Sequence, residues 1–194
     1  MKLILASSSP RRSHLLHQIA LDHTVQPADV DESRRPDEPP GTYVERVARE
    51  KAMALDTADD VVVAADTAVV FEGQILGKPA HPQEARSMLR RLQGQRHEVF
   101  TGLAVRRGDR VESLVDVTHV QMLPMTDDEV SRYVADGDPM DKAGAYGLQS
   151  QGGVFVESIS GSPSTVVGLP LHLLPRLLGR MEVDMELFRR RDRL

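Results

Sequence analysis

The stretch Leu3-Ile4-Leu5-Ala6-Ser7-Ser8-Ser9-Pro10-Arg11-Arg12 passes from an apolar run through a hydroxyl-rich turn into a pattern carrying Leu15, Leu16 and Ile19. It reads as strand, turn and helix. Ser9 suits the N-cap and Pro10 the first helical position, where a missing N–H costs nothing because that donor has no intrahelical partner. The helix is therefore expected to start at Pro10. Arg11 and Arg12 then fall in the first turn, where the macrodipole already places positive partial charge. An anion would offset them. Serine hydroxyls, guanidiniums and backbone N–H groups converging on a helix start describe a phosphate site, with Arg favoured for its bidentate fork. A solvated basic turn beside a capped helix fits the same residues, and local features leave both readings open.

Working outward, Val61-Val62-Val63-Ala64-Ala65 is a continuous apolar run that suits a strand buried on both faces, and it ends in Asp66-Thr67. Ligands of open α/β sheets gather beyond the carboxyl ends of strands, so Asp66 sits where a catalytic carboxylate would. The alternative is an Asp that caps a turn before Ala68-Val69-Val70-Phe71. Between the two runs, His23 to Gln26 reads as a short strand and Asp29 to Gly41 as a polar loop carrying Asp29, Asp31 and Glu32. Thr42 with Glu45 makes a capping box, and Val44, Val47, Ala48 and Leu55 recur at helical spacing. Lys51 falls on that apolar stripe. It must either snorkel to water or point at a ligand or partner.

Downstream, Glu72-Gly73 turns the chain into Gln74-Ile75-Leu76, and Gly77-Lys78-Pro79 holds Lys78 in an exposed loop, as a surface lysine or a ligand contact. Pro82 starts a helix with Ala85, Met88, Leu89 and Leu92 inward, ended by Gly94. Two β-rich stretches, His97 to Val105 and Val111 to Met122, flank a hairpin loop. Thr126 and Glu129 form a second capping box, opening a helix closed by Gly137. The segment Asp138 to Gly153 is too glycine-rich for a packed helix and lets backbone approach a ligand. Within it Gln149 offers donor and acceptor together, suited to a base edge or simply to water. Val154-Phe155-Val156 resumes strand character, Gly161 to Ser164 is a turn, Pro170 starts a last helix, and Met181 to Leu194 is a charged tail whose Arg189-Arg190-Arg191 reads as solvated.

The 194 residues, 40% hydrophobic, fit one α/β domain spanning 1–194 with a sizeable core, the tail from about 181 excepted. Aromatics at 4% and the lack of Trp argue against stacking on single-stranded nucleic acid, and a net charge of −5 gives no basic footprint for duplexes or anionic membranes. Without cysteine there is no thiolate metal site and no thiol nucleophile. His14 and His17 lack a third metal ligand at usable spacing. No apolar run approaches the roughly 18 residues of a membrane span, and the opening run is too short for a signal peptide, so a cytoplasmic protein is expected. Neither nucleic acid nor membrane is expected as a partner.

Seven blocks in order carry a family signature: Ala6-Ser7-Ser8-Ser9-Pro10-Arg11-Arg12, Asp31-Glu32, Arg49-Glu50-Lys51-Ala52, Ala65-Asp66-Thr67, Gly77-Lys78-Pro79, Asp141-Lys142-Ala143-Gly144-Ala145-Tyr146-Gly147-Leu148-Gln149, and Val167-Gly168-Leu169-Pro170-Leu171. From Leu3 to about Leu178 the chain resembles the Maf family of nucleoside triphosphate pyrophosphatases. The resemblance implies a Maf/ITPase-like α/β fold, with an elongated mixed sheet flanked by helices and two lobes around a central cleft. It implies hydrolysis of a nucleoside triphosphate to the monophosphate and pyrophosphate, with Mg²⁺ or Mn²⁺ as cofactor. By the same resemblance Asp66 is the catalytic base; a hard cation that holds few carboxylates and several waters would then have Glu32 and Asp66 bind or face it. Ser7, Arg11, Arg12, Lys51, Thr67, Lys78 and Gln149 bind substrate, with Arg11, Thr67 and Gln149 tied to its choice. Asp66-Thr67 and Gly147-Leu148-Gln149 look like the dTTP/UTP branch rather than the 7-methyl-GTP branch. One departure is Ser162-Pro163-Ser164-Thr165, where the dTTP/UTP branch carries an aromatic residue. A non-catalytic nucleotide-binding regulator of cell division is the other class the family's older name suggests, and the resemblance leaves room for a homodimer.

Overall fold

The computed structural model describes residues 1–57 and 59–190. Strands β1 (Leu3–Leu5), β2 (Thr24–Val25), β3 (Val61–Phe71), β4 (Gln74–Leu76), β5 (Arg96–Arg107), β6 (Arg110–Met122) and β7 (Val156–Ser160) form one seven-stranded sheet, ordered β2-β1-β3-β5-β6-β7 with β4 on β3. The sheet is mixed: β1 runs parallel to β2 and β3, while β3/β4 and β6/β7 are antiparallel. Helices α1 (Pro10–Gln18), α2 (Pro40–Met53), α3 (Pro82–Leu92), α4 (Asp127–Ala135), α5 (Pro163–Val167) and α6 (Leu174–Arg180) flank it. The apolar run expected to be buried on both faces is so, residues 61–66 of β3 being buried, and all of β1 is buried as well. Among the described residues no helix is long and apolar enough to cross a membrane.

The chain divides into two compact units. The first comprises Met1–Asp66, Thr101–Asp116 and the segment from Gly168 onward; the second comprises Thr67–Phe100 and Val117–Val167. In the first, small side chains let α2 lie close on the sheet: Ala48 and Ala52 pack with Ile4, Val62, Ala64 and Ala104. At Gly102 of β5 even a methyl group would fall inside the Val44 carbonyl of α2. In the second, Ala85, Met88, Leu89 and Leu92 of α3 and Val130, Tyr133 and Val134 of α4 share a core with Val69, Val99, Val120 and Met122. The capping box that opens α4 is complete, Thr126 Oγ1 accepting from the Glu129 amide at 3.3 Å and Glu129 Oε2 accepting from the Thr126 amide at 2.7 Å.

Several local readings are corrected. Helix α2 starts at Pro40 with Pro39 at its N-cap, so Thr42 lies inside the helix and forms no capping box. The fixed φ of Pro40 nucleates the first turn earlier than the hydroxyl would. Ser9 occupies the N-cap of α1, but its side chain makes no capping bond. β3 does not end at Ala65; it runs through Asp66 and Thr67 because its C-terminal half is paired by β4 at Val69 to Phe71. Residues 154–155 belong to a 3₁₀ turn, with β7 beginning at Val156. Pro163 opens the short α5 instead of lying in a turn, and α6 begins at Leu174 instead of Pro170. The tail is docked up to residue 190: Met181, Val183 and Phe188 are buried, Arg189 Nη1 donates to the Ile19 carbonyl at 2.6 Å, and Arg190 pairs with Asp22. Arg191 lies outside the described residues.

Candidate active site

The site of the first unit is built on the turn between β1 and α1. The Ser7 amide donates to the Leu5 carbonyl at 2.9 Å, reversing the chain as it leaves the strand. Ser7 Oγ, buried, accepts from the Ser9 amide at 3.2 Å and from Arg12 Nη1 at 3.1 Å. Arg12 Nε donates to the Gly168 carbonyl at 2.8 Å. The Arg12 fork is thus fixed on two sides, a geometry a lysine could not copy. Burial works against the Arg12 charge, and the nearby carboxylates of Asp66 and Glu32 work for it, with Arg11 opposing.

Lys51 settles the choice left open by its place on the apolar stripe of α2. It is 6% exposed and does not snorkel. Its Nζ lies 2.8 Å from Asp66 Oδ1 and 2.9 Å from Glu32 Oε1. Asp66, mid-strand and 6% exposed, is no turn cap. Burial raises the pKa of its carboxyl, Glu32 adds to the rise, and Lys51 and Arg12 oppose it. A buried carboxylate held by cations and pushed toward accepting a proton is suited to general-base work.

Glu32 stands half-exposed in the loop ahead of α2, and that loop is clasped by residues the sequence reading missed. Tyr43 donates its hydroxyl to the Glu32 carbonyl at 3.0 Å, and Arg46 Nη2 donates to the Ser33 carbonyl at 3.0 Å. Arg46 also forks onto Glu38, Nε to Oε1 at 2.6 Å and Nη2 to Oε2 at 2.8 Å. That fork, with the Arg35 amide assisting, holds the Glu38 carboxyl down to about 2. Burial, reinforced by Asp66 and Glu32, pushes the Tyr43 hydroxyl up to about 12, which keeps it a donor. The available signal was the spacing of Tyr43 and Arg46, one turn apart at the start of α2. Gly168, quoted as part of a motif, had been given no role; it supplies the carbonyl that orients Arg12.

Ser7, Arg12, Glu32, Lys51 and Asp66 are therefore brought together in the first unit, with Arg11 within electrostatic reach of Arg12. Thr67, Lys78 and Gln149 belong to the second. Thr67 is half-buried in β3; Lys78 and Gln149 are exposed on loops. The Gly77 carbonyl accepts from the Gly144 amide at 3.1 Å, which ties the Lys78 loop to the glycine-rich segment that leads to Gln149. Among the described residues no group of three or more His, Cys, Asp or Glu gathers as a metal site, so His14 and His17 recruit no third ligand.

Cations and a serine hydroxyl at a helix start, beside two carboxylates, can hold a polyanion and activate a nucleophile next to it. The family model described as Maf-like protein matches residues 2–181. A protein of Anaeromyxobacter dehalogenans (strain 2CP-C) named dTTP/UTP pyrophosphatase is 52% identical over 184 residues, covering 92% of this chain and 93% of its own. Proteins of the same name from Halalkalibacterium halodurans and Pseudoalteromonas atlantica are 48% and 46% identical, covering 91% and 95% of this chain and 94% and 99% of their own. In fold, the chain is similar to the solved structure of the Staphylococcus aureus Ham1 protein, with a TM-score of 0.51 at 15% identity over 93% of this chain and all of that one. Half identity sustained along nine-tenths of the sequence, under a family model that spans it from the first strand to the end of α6, means that this chain belongs to the Maf family.

Proposed function

We propose that this chain is a nucleoside triphosphate pyrophosphatase acting on dTTP and UTP in the cytoplasm. The observation that carries the reading is the shared ammonium: Lys51 Nζ between Asp66 and Glu32, with the fixed Arg12 beside them. A triphosphate needs its charge neutralised along its length and a water held in line with the α-phosphorus, and positioning with electrostatics supplies most of the rate. Ser7, Arg11, Arg12, Lys51 and Lys78 are assigned to the phosphates. Asp66 takes the proton of the attacking water. The water oxygen bonds to the α-phosphorus, the bond from that phosphorus to the α–β bridging oxygen breaks, and pyrophosphate leaves. Thr67 and Gln149 are assigned to the base.

The carboxylates fit a hard divalent cation. Glu32 and Asp66 offer oxygen donors, too few for an all-protein cage but suited to Mg²⁺ or Mn²⁺, which keep waters and take further ligands from substrate phosphates. Such an ion, when bound, adds positive charge against the phosphates and acidifies water. The homodimer for which the sequence leaves room is a matter for sedimentation velocity.

Pyrophosphate release from dTTP, UTP, CTP, GTP and 7-methyl-GTP with Mg²⁺ or Mn²⁺, run beside Asp66→Asn, tests the reading. Turnover of dTTP and UTP that is lost in the variant supports it. Preference for 7-methyl-GTP would reassign Thr67 and Gln149, and binding of triphosphate without turnover would favour the regulator.

A further inference from the structure

The glycine-rich segment of the second unit hides a charged hub with no place in the chemistry above. Asp138, just past α4, accepts from Tyr133 Oη and from Ser150 Oγ, each at 2.7 Å on Oδ2. Its Oδ1 accepts from Lys142 Nζ at 3.1 Å, and the same ammonium reaches the Asp141 carboxylate at 2.6 Å. Lys142 is 8% exposed, so its charge depends on these partners. Burial raises the Asp138 carboxyl, but the hydrogen bonds from Tyr133, Ser150 and Lys142 together bring it below its ordinary value.

The hub lies directly against one turn. A Cβ on Gly147 would run into Ser150 Oγ and the Lys142 side chain, and a Cβ on Gly152 would run into the Tyr133 hydroxyl. Ser150 also ties the turn to itself, its amide donating to the Gly147 carbonyl at 3.4 Å and its carbonyl accepting from the Gly153 amide at 3.0 Å. At the tip of that turn stands Gln149, exposed. Tyr133 is anchored on the capped α4 within the hydrophobic core, so the hub joins a rigid helix to a segment that is otherwise short 3₁₀ turns. A side chain that reads a base edge on a loop needs such support, because a reader displaced by an ångström no longer discriminates.

We infer that Asp138 is a positioning residue for base selection: through Ser150, Tyr133 and Lys142 it fixes the Gly147–Gly152 turn that presents Gln149. The inference rests on the assignment of Gln149 to the base.

The test measures kcat and KM for UTP, dTTP and CTP in wild type, Gln149→Ala, Asp138→Asn, Ser150→Ala and the Asp138→Asn/Gln149→Ala double variant, with melting temperature recorded for each. The expected result is a fall of about ten-fold in UTP-over-CTP selectivity for Gln149→Ala and Asp138→Asn alike, through KM, with the double variant no less selective than the worse single one. Ser150→Ala removes one strut and leaves the Lys142 pair, so it keeps the inference testable if Asp138→Asn does not fold; it should lose selectivity several-fold. Selectivity lost in Gln149→Ala but kept in Asp138→Asn and Ser150→Ala would overturn the positioning role. An equal fall for every substrate would also overturn it and leave the hub a stability element. Selectivity unchanged in Gln149→Ala would instead remove the base-reading assignment, and the inference with it.

Discussion

Lys51 and Asp66 meet at 2.8 Å with each side chain 8% exposed, so neither charge can turn to bulk water when the other is removed. Their separation in sequence hides this, since one lies on a helix and the other mid-strand. Glu32 completes the arrangement from a loop, half-exposed, and shares the ammonium at 2.9 Å.

Lys51→Met should therefore cost stability as well as activity. It leaves a buried carboxylate offset by Arg12 and opposed by Glu32, and breaking a buried pair from one side costs about 3 kcal/mol. Asp66→Asn should fold, because Lys51 keeps Glu32, yet lose two to four orders of magnitude in turnover, roughly the contribution of a general base. Lys51→Met/Asp66→Asn should regain much of the stability and none of the activity. Urea unfolding beside pyrophosphate release reads both; a Lys51→Met protein as stable as wild type would show that the pair is not structurally coupled.

Acid should loosen the Glu32 loop before it unfolds the whole. Glu38 is held near 2 in the folded chain against an ordinary 4.5. A depressed carboxyl contributes stability that is fully present above 4.5 and lost as pH falls from there toward 2. Melting temperature should fall across that window, and Glu38→Gln should remove this component while lowering stability at neutral pH by about 1–3 kcal/mol, the cost of leaving Arg46 without its fork. Retained slope in Glu38→Gln would assign the acid sensitivity to other carboxylates.

How much of this was legible beforehand divides along physical lines. Some signals local in sequence held: the Pro10 start of α1, the Thr126–Glu129 box, the Glu72-Gly73 hairpin, in which both residues take positive φ of 50° and 74°; the Thr42–Glu45 box and the Pro170 start did not. The oddity of Lys51 on an apolar stripe pointed to the site because burying a lysine demands partners. What else failed was set by tertiary pairing. Asp66 looked like a strand end because the apolar run stops there, and pairing by β4 farther on continues the strand. The Arg46–Glu38 clasp and the Asp138 hub join polar residues across loops and leave no periodic trace. The division of the chain into two units uses three separate segments for the first alone, which no composition shift marks.

His97 should stay neutral far below the ordinary histidine range. It is 2% exposed, its Nε2 lies 2.8 Å from the Tyr146 hydroxyl, and burial lowers its pKa to about 4. A depressed histidine contributes stability that is present above 6.5 and lost as pH falls toward 4, by at most about 3 kcal/mol. Its ring-proton NMR shift should not titrate until near pH 4. Titration near 6.5 would mean that the ring is reached by water.

Gly102→Ala should be among the most damaging single-methyl additions in the chain. The new Cβ would meet the Val44 carbonyl and carbon and the Glu45 amide, backbone atoms of α2 that cannot rotate away. Overpacking of this kind costs typically 1–3 kcal/mol, and here the strain falls on the helix that carries Lys51. Stability and turnover should fall together, whereas Gly179→Ala, where nothing lies within 4 Å, should change neither by much.

Arg12→Lys keeps the charge and removes the fork, and so separates charge from orientation. Arg12 donates through Nε to the Gly168 carbonyl at 2.8 Å and through Nη1 to Ser7 Oγ at 3.1 Å, and those two bonds set the plane and direction of the guanidinium. A lysine ammonium is a point charge with no planar fork to hold in two places at once, so it would neutralise the phosphates without being aimed at them. The expected result is a fall of about 10–100-fold in kcat/KM, while melting temperature drops by a few degrees. Wild-type kcat/KM would mean that charge alone is required at position 12, and the ties to Gly168 and Ser7 would then serve the fold rather than the reaction.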